Sequence, residues 1–310
     1  MAVAVSTPRE FLGRYRVAEL IGRGSFGRVL KVIDAQTSEP RALKVSAGRE
    51  GMLLDEFEQL ARLRHPSLPK VFEVGRTTEP VDDVAAGAPF FVAEWIAGGR
   101  CDARRWDEPA GLWSLMADIA GALAVIHAAG LVHGDVAPPN ILLVDEGAAA
   151  STSRDGGPAR AVLVDLGLAS GDGARGTPQY MAPEALAGHV EPRSDLYGLG
   201  ATIVRLVTGK PPFDAPTLGE LVQRIVGASA PPALPGVPRP LADLVGRLIA
   251  RDADQRPPSA VAVLDELDQL APVVAPGIVR RARPKVGAPP APTAWPGAAS
   301  VIDALAHGLT

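Results

Sequence analysis

The texture of this chain changes once along its length, and the change falls at Gly98-Gly99. Before it, from Tyr15 to about Val92, apolar residues come in short runs rich in Val, Leu and Ile. Val29, Leu30, Val32 and Ile33, then Ala42, Leu43 and Val45, read as strands. One helical stretch interrupts them. Leu53, Phe57, Leu60 and Leu63 recur at spacings of 4, 3 and 3, which makes one apolar helix face. His65-Pro66 closes it, since the residue before a proline is pushed out of the helical region. After the glycine pair, Trp113 to Ala129, Ser194 to Thr208, Leu241 to Ala250 and Ser259 to Leu270 read as helices, the second stopped by Gly209 and Pro211-Pro212. A strand-rich part followed by a helix-rich part predicts a two-lobed α+β chain with its hinge near Gly98-Gly99.

Composition narrows the class. The 310 residues are 47% hydrophobic and 21% charged, which suits one large globular domain or two smaller lobes. A net charge of −4 gives no reason to expect nucleic acid as a partner. Cys101 is the one cysteine, so no disulfide forms within the chain and a reducing, cytoplasmic setting is expected. Met1 to Arg9 lacks the pattern of a signal peptide, and no run approaches the ~18 apolar residues of a membrane span. Gly147 to Arg160 is small, polar and glycine-rich, and reads as a surface loop insertion. From Pro272 to Thr310 the chain is rich in Pro and Ala, with a basic cluster at Arg280, Arg281, Arg283 and Lys285 and a short apolar helix at Val301 to Leu305. That stretch reads as a solvated linker, of the kind that leads to further domains in a longer protein, with contact of the basic cluster to anionic membrane as the alternative; a homodimer is compatible with the sequence.

Four segments carry chemistry. Gly22-Arg23-Gly24-Ser25-Phe26-Gly27, followed by Val29, fits G-x-G-x-x-G. Glycines let backbone amides approach phosphate oxygens, although a plain glycine-rich hairpin turn explains the same residues. The strand-like residues that follow argue against a dinucleotide fold, which needs a helix there. Lys44 sits inside an apolar strand run and needs a partner, because an unpaired buried ammonium is costly. Glu56, beside the apolar face of the Leu53–Leu63 helix, is the candidate, and the pair would let Lys44 reach nucleotide phosphates. Leu131 to Leu143 contains Asp135 and Asn140 between an apolar helix and a strand-like run. Asp135 would orient a substrate hydroxyl and accept its proton, and Asn140 would help hold a metal; a turn capped by Asp and Asn is the plainer alternative. Val162-Leu163-Val164-Asp165-Leu166-Gly167 places an acid at the end of an apolar strand, where a hard carboxylate suits magnesium.

Taken in order, these motifs resemble those of the protein kinase superfamily, most closely the bacterial Ser/Thr kinases related to the eukaryotic ones. The set is completed by Ala182-Pro183-Glu184, by Asp195 in Ser-Asp-Leu-Tyr-Gly-Leu-Gly and by Arg256 in Asp-Gln-Arg-Pro. The resemblance spans residues 14–271 and implies a two-lobed kinase fold, with a β-rich N-lobe at about 14–96 and a helical C-lobe at about 98–271. It implies ATP and Mg2+ as cofactors, a protein substrate and a role in signal transduction. It places ATP against Ile21, Gly22, Gly24, Gly27, Val29, Ala42, Lys44, Glu56, Glu94, Ile96 and Leu142, with Ala93 as a small gatekeeper. Lys44, Asp135, Asn140 and Asp165 are the implied catalytic residues, and Asn140 and Asp165 the metal ligands. Glu184 and Arg256 are expected to pair, and Asp195 to hold the catalytic-loop backbone. Thr177 to Glu184 is like the substrate-docking loop of Ser/Thr kinases.

Three departures from the family stand out. Most Ser/Thr kinases have a lysine two residues after the catalytic Asp; here it is Ala137, and Pro139 offers no replacement. Arg28 or Arg175 is the candidate substitute for that charge, and an ATP-binding pseudokinase acting as a scaffold is the alternative function. Gly134 stands where many regulated kinases have an arginine that pairs with a loop phosphate. The stretch from Asp165 to Glu184 is short, with Ser170 and Thr177 its only Ser/Thr hydroxyls. Together the last two predict that phosphorylation of this loop does not control the protein.

Overall fold

The computed structural model describes residues 10–11, 14–24, 27–48, 50–103, 106–144, 159–166, 177–227 and 232–276. They fall into two compact units: the described residues of 1–64 and 69–96 make the first, and those of 65–68 and 97–289 the second.

The first unit is a six-stranded antiparallel sheet with one helix. Strands β1 (Glu10–Phe11), β2 (Tyr15–Gly24), β3 (Gly27–Asp34), β4 (Pro40–Ser46), β5 (Val71–Arg76) and β6 (Pro89–Glu94) lie in the order β1-β2-β3-β4-β6-β5. Helix α1 (Glu50–Arg62) follows β4. The strand alternation sorts residues to two faces. Leu30, Val32, Leu43, Val45, Phe90 and Val92 pack with Tyr15 into one core. On the other face Leu53, Leu54 and Phe57 of α1 pack on Val74, Phe91 and Ala93, with the Phe57 and Phe91 rings 6.1 Å apart. Each such fully buried aliphatic or aromatic side chain stabilises the fold by about 1.5–3 kcal/mol.

The second unit is helical around α2 (Pro109–Ala128). This helix is apolar all round, and Leu112, Trp113, Leu115, Met116, Ile119, Leu123 and Ile126 are all essentially inaccessible to water. Among the described residues it is the one helix long and apolar enough to cross a bilayer, yet 72% of that window is buried inside the protein, which is the signature of a core helix. A β7 (Ile141–Leu143) and β8 (Ala161–Leu163) hairpin, then α3 (Pro183–Leu186), α4 (Pro192–Thr208), α5 (Leu218–Gly227), α6 (Arg239–Leu248) and α7 (Ala260–Val274) complete it. Trp113 Nε1 donates to the Leu267 carbonyl at 2.7 Å and ties α2 to α7. His65 packs against Gly121 of α2, where a Cβ would lie 2.9 Å from the imidazole Nε2. Helix α4 starts on a capping box between Glu191 and Ser194 and ends at Gly209, whose φ of 75 is the left-handed C-cap expected of a glycine stop.

Two boundaries and one helix differ from the sequence reading. Helix α2 begins at Pro109, because a proline needs no hydrogen-bonded N–H in the first turn. Helix α7 continues past Leu270 through Pro272 to Val274, so these residues are helix and not linker; burial of Val274 and Ala275 holds the last turn in place. Helix α5 has no counterpart in the sequence reading, although Leu218, Leu221, Val222 and Ile225 stand at i, i+3, i+4 and i+7, the spacing of one apolar helix face. The predicted insertion at Gly147 to Arg160 is described only at its last two residues, and the basic cluster and the Val301–Leu305 helix lie outside the described residues.

Candidate active site

In the first unit, strand register gathers the predicted nucleotide residues on one sheet face. Directly opposed residues of antiparallel strands share a face. Val29 opposes both Gly22 and Lys44, Lys44 opposes Phe91, and Ala42 opposes Ala93. Ala42 and Lys44 are two apart and project the same way, so Gly22, Val29, Ala42, Lys44, Phe91 and Ala93 form one surface. This is the face that α1 covers at Phe91 and Ala93. Lys44 therefore meets Glu56, the neighbour of Phe57 on α1, and its Nζ donates to both carboxylate oxygens at 2.7 and 2.8 Å. The Glu56 side chain is only 9% exposed, so the pair is partly desolvated.

Gly22, Gly24 and Gly27 lie on the β2–β3 hairpin. Gly27 has no room for a side chain, since a Cβ there would sit 1.9 Å from the Val45 carbonyl oxygen of β4, whereas Gly22 faces open space. Ile21, next to Gly22, is 46% exposed. At the far end of the sheet the Glu94 N–H already donates to the Lys70 carbonyl at 2.7 Å, so a ligand contact from that backbone falls on its carbonyl. Ala93 and Ile96 are buried.

In the second unit, the loop between α2 and β7 is built around Asp195 of α4. Its carboxylate accepts from the His133 and Gly134 backbone N–H groups, both at 2.8 Å, and stands 2.8 Å from His127 Nε2. The His133 ring is fully buried, and burial holds its pKa below the usual value, so it is neutral. Nε2 then donates to the Val164 carbonyl at 3.2 Å, and Nδ1 accepts from the Asp135 N–H at 3.2 Å. One imidazole thus connects the backbone of Asp135 with the residue before Asp165. Asp165 itself has φ 56, a left-handed conformation uncommon outside glycine and frequent at functional sites.

Asp135 and Asn140 meet directly. Asn140 Nδ2 donates to the Asp135 carbonyl at 2.9 Å and to its Oδ2 at 2.8 Å. The other carboxylate oxygen, Oδ1, accepts from the Thr177 N–H at 2.9 Å and its hydroxyl at 3.2 Å. Thr177 entered the sequence reading only as a hydroxyl in the docking loop; nothing in its local pattern signals a contact with a residue 42 positions earlier. Asn140 also binds the β8 side, accepting the Val164 N–H on its carbonyl at 2.9 Å. Leu142 pairs with Val162 across β7–β8.

Behind this loop, all five N–H donors of Arg256 are used. Two go to Glu184 Oε1 and Oε2, at 2.6 and 2.9 Å, and three to the carbonyls of Arg193, Ala250 and Arg251. Burial pushes the Glu184 pKa up, but the bonds from Arg256 and Ser194 outweigh it, and the net shift is downward.

One expectation is overturned. Arg28 does not stand free to replace the charge missing at Ala137, because its guanidinium is bound to Asp82, Asp83 and the carbonyls of Gly24 and Gly27. Arg175 and Ser170 lie outside the described residues. Ala137 is completely buried.

A profile of the family described as protein kinase domain matches residues 15–266. The chain is 34% identical over 282 residues to the DNA damage-responsive serine/threonine-protein kinase RqkA of Deinococcus radiodurans, covering 83% of this chain and 40% of that protein. It is 32% identical over 273 residues to the serine/threonine-protein kinase PknL of Mycobacterium tuberculosis, covering 83% of this chain and 66% of that one. It is 31% identical over 254 residues to the serine/threonine-protein kinase RUNKEL of Arabidopsis thaliana, covering 79% of this chain and 18% of that protein. The chain therefore spans less than two thirds of each of these relatives.

Proposed function

Because this chain belongs to the protein kinase domain family, we propose that it transfers the γ-phosphate of ATP to serine or threonine hydroxyls of a protein substrate, in cytoplasmic signalling. The observation that carries the reading is the seating of Asp135. Its two carboxylate oxygens are held separately, by Asn140 on one side and Thr177 on the other. A carboxylate fixed in this way orients an incoming hydroxyl and takes its proton as the oxygen becomes a nucleophile. Lys44, steadied by Glu56, supplies a fixed cation for the nucleotide phosphates.

The donor set fits magnesium. Mg2+ is commonly bound through one or two protein oxygens plus substrate phosphates and water, so no larger acidic cluster is needed. The Asn140 amide nitrogen is spent on Asp135, which leaves its side-chain oxygen as the donor, and Asp165 adds a carboxylate. Bound there, the ion would offset negative charge on the phosphates.

Loop phosphorylation is not part of the proposed mechanism. Gly134 has φ 80 and donates its N–H to Asp195, a conformation glycine adopts without strain, and it carries no side chain to hold a phosphate. The buried Ala137 favours a second reading, nucleotide binding without efficient transfer. Incubation with ATP, magnesium and a generic protein substrate, followed by mass spectrometry of phosphosites, separates the two. The expected result is new phosphoserine or phosphothreonine, reduced at least about a hundredfold in Asp135→Asn. Nucleotide binding with no new phosphosite would instead establish the second reading.

A further inference from the structure

The connection between β5 and β6 doubles back in a two-residue turn. Val81 and Val84 exchange both backbone hydrogen bonds at 2.9 Å, and their side chains are buried in the core with Tyr15, Leu30 and Phe90. Between them stand Asp82 and Asp83. Asp82 has φ 54, the left-handed conformation that tight two-residue turns demand and that Asp tolerates better than most residues. The turn therefore has a fixed base and presents two carboxylates.

Both carboxylates are met by arginines of the glycine-rich hairpin. Arg23 Nε and Nη2 donate to the two oxygens of Asp82, each at 2.8 Å. Arg28 Nε donates to Asp83 Oδ1 at 2.8 Å and Asp82 Oδ2 at 3.2 Å, and Nη2 to Asp83 Oδ2. Its Nη1 turns back to the carbonyls of Gly24 at 3.0 Å and Gly27 at 2.9 Å. Arg28 thus joins three pieces of backbone: the end of β2, the start of β3 and the acidic turn. A planar guanidinium with five donors can do this, and a lysine cannot. The partners are 54 to 59 residues apart in the chain.

On the β2 side of this hairpin, Gly22 to Gly24 pair only with β3, and such an edge ribbon rich in glycine is weakly ordered, because glycine loses more conformational freedom than any other residue on folding. A ligand that binds such a ribbon bears the cost of ordering it. We propose that Asp82 and Asp83 are positioning residues for the nucleotide: through Arg23 and Arg28 they hold the strand ends Gly22 to Gly24 and Gly27 to Val29 of the glycine-rich hairpin in one conformation, so that their backbone is set to receive phosphate before ATP arrives. The inference rests on the kinase reading above. Each exposed ion pair is individually weak, but here both carboxylates and both guanidinium groups share one network, and the turn that carries it is anchored in the core.

The test is the double variant Asp82→Asn/Asp83→Asn in the full chain. Asparagine keeps the side-chain shape and tolerates the left-handed turn. Calorimetric titration with Mg-ADP and, separately, with adenosine gives the two affinities. The expected result is a loss of about fivefold for Mg-ADP, the size that two exposed ion pairs of ordinary strength together supply, with adenosine unchanged. The difference between wild type and variant should shrink as salt rises toward 1 M, where the screening length is about 3 Å. Hydrogen exchange of the ligand-free proteins should show the amides of Leu20 to Arg23 and Val29 to Lys31 opening faster in the variant, and Asp83→Glu should restore slow exchange. Charge alone predicts the opposite sign, since removing two carboxylates near a phosphate site strengthens anion binding. Unchanged or tighter Mg-ADP binding overturns the proposal, as does an equal loss for adenosine, which would mark a general effect on folding. If wild type binds neither probe, the kinase reading fails first and takes this inference with it.

Discussion

Arg256 shows how far one side chain can organise its surroundings. Its donors satisfy three backbone carbonyls and both oxygens of Glu184, and its guanidinium lies 5.1 Å from the centre of the Tyr197 ring. The side chain is completely inaccessible to water. Leucine at this position would leave those carbonyls and a half-buried carboxylate without their partner. Removing one member of a buried pair typically costs about 3–5 kcal/mol. Arg256→Leu should lower the urea midpoint accordingly. Arg256→Lys should recover only part of the loss, because an ammonium reproduces one or two of the five bonds. Gly134 carries a different lesson at this scale. The sequence presents it as a missing arginine, whereas the structure adds a backbone reason, a φ of 80 at which a glycine is unstrained. Thr177 offers a further residue-level prediction. Thr177→Ala removes a hydroxyl from Asp135 and should lower kcat more than the KM for ATP, while Thr177→Ser should stay near wild type; steady-state kinetics of peptide phosphorylation would show this split.

At the scale of elements, the loop that carries Asp135 is held in shape by helix α4 lying against it. Asp195 binds the loop backbone, and three residues along the same helix Gly198 lets the loop approach. A Cβ on Gly198 would stand 2.7 Å from the Val136 carbonyl oxygen, the residue next to Asp135. Gly198→Ala should therefore cost about 1–3 kcal/mol by overpacking, read as a drop in Tm, and should slow phosphoryl transfer by shifting Asp135. The periodicity of α4 was legible in the sequence, and so was its glycine stop. The use of Gly198 was not, since a glycine inside a helical pattern reads only as a weak point until the neighbour that needs the space is known. The same holds for Gly27, whose lack of a side chain is required by a carbonyl of β4.

For the whole molecule, acid should act in two stages. Burial, aided by the charge of Arg160, holds His65 down to about 4, and burial likewise lowers His133. Both are neutral when folded and take up protons when unfolded below about pH 6.5. The unfolded state then binds more protons, so stability falls as pH drops from 6.5 toward 4, by at most about 1.4 kcal/mol per pH unit for each residue. Carboxylates act lower. The Arg14 hydrogen bond holds Asp34 down to about 2 against the opposing effect of burial, and Glu184 is also lowered. Their contribution is complete above the ordinary carboxylate range and is lost as pH falls through the folded values. A plot of Tm against pH should thus begin to fall below pH 6.5. His65→Asn should make that upper limb shallower, with His133 supplying what remains, and leave the limb below pH 4 in place.

Which groups this protein carries, and in what order they come, can be read from the amino-acid chain. Lys44, Glu56, Asp135, Asn140 and Asp165 were identifiable because each sits in a short pattern whose spacing is local: a lysine in an apolar strand, an Asn five residues after an Asp, an acid at the end of a strand. The change from strand-like to helix-like periodicity at Gly98-Gly99 falls beside the main boundary between the two units, because periodicity is a property of neighbours, whereas the membership of residues 65–68 in the second unit has no such local signal. What each group touches depends on how distant segments pack. Thr177 reaches Asp135 across 42 residues, and Arg28 reaches Asp83 across 55 instead of standing free as a substitute for the charge absent at Ala137. A hydrogen bond selects its partner by distance and direction in space. Chain spacing fixes these within a turn or a strand, and only packing fixes them between distant segments.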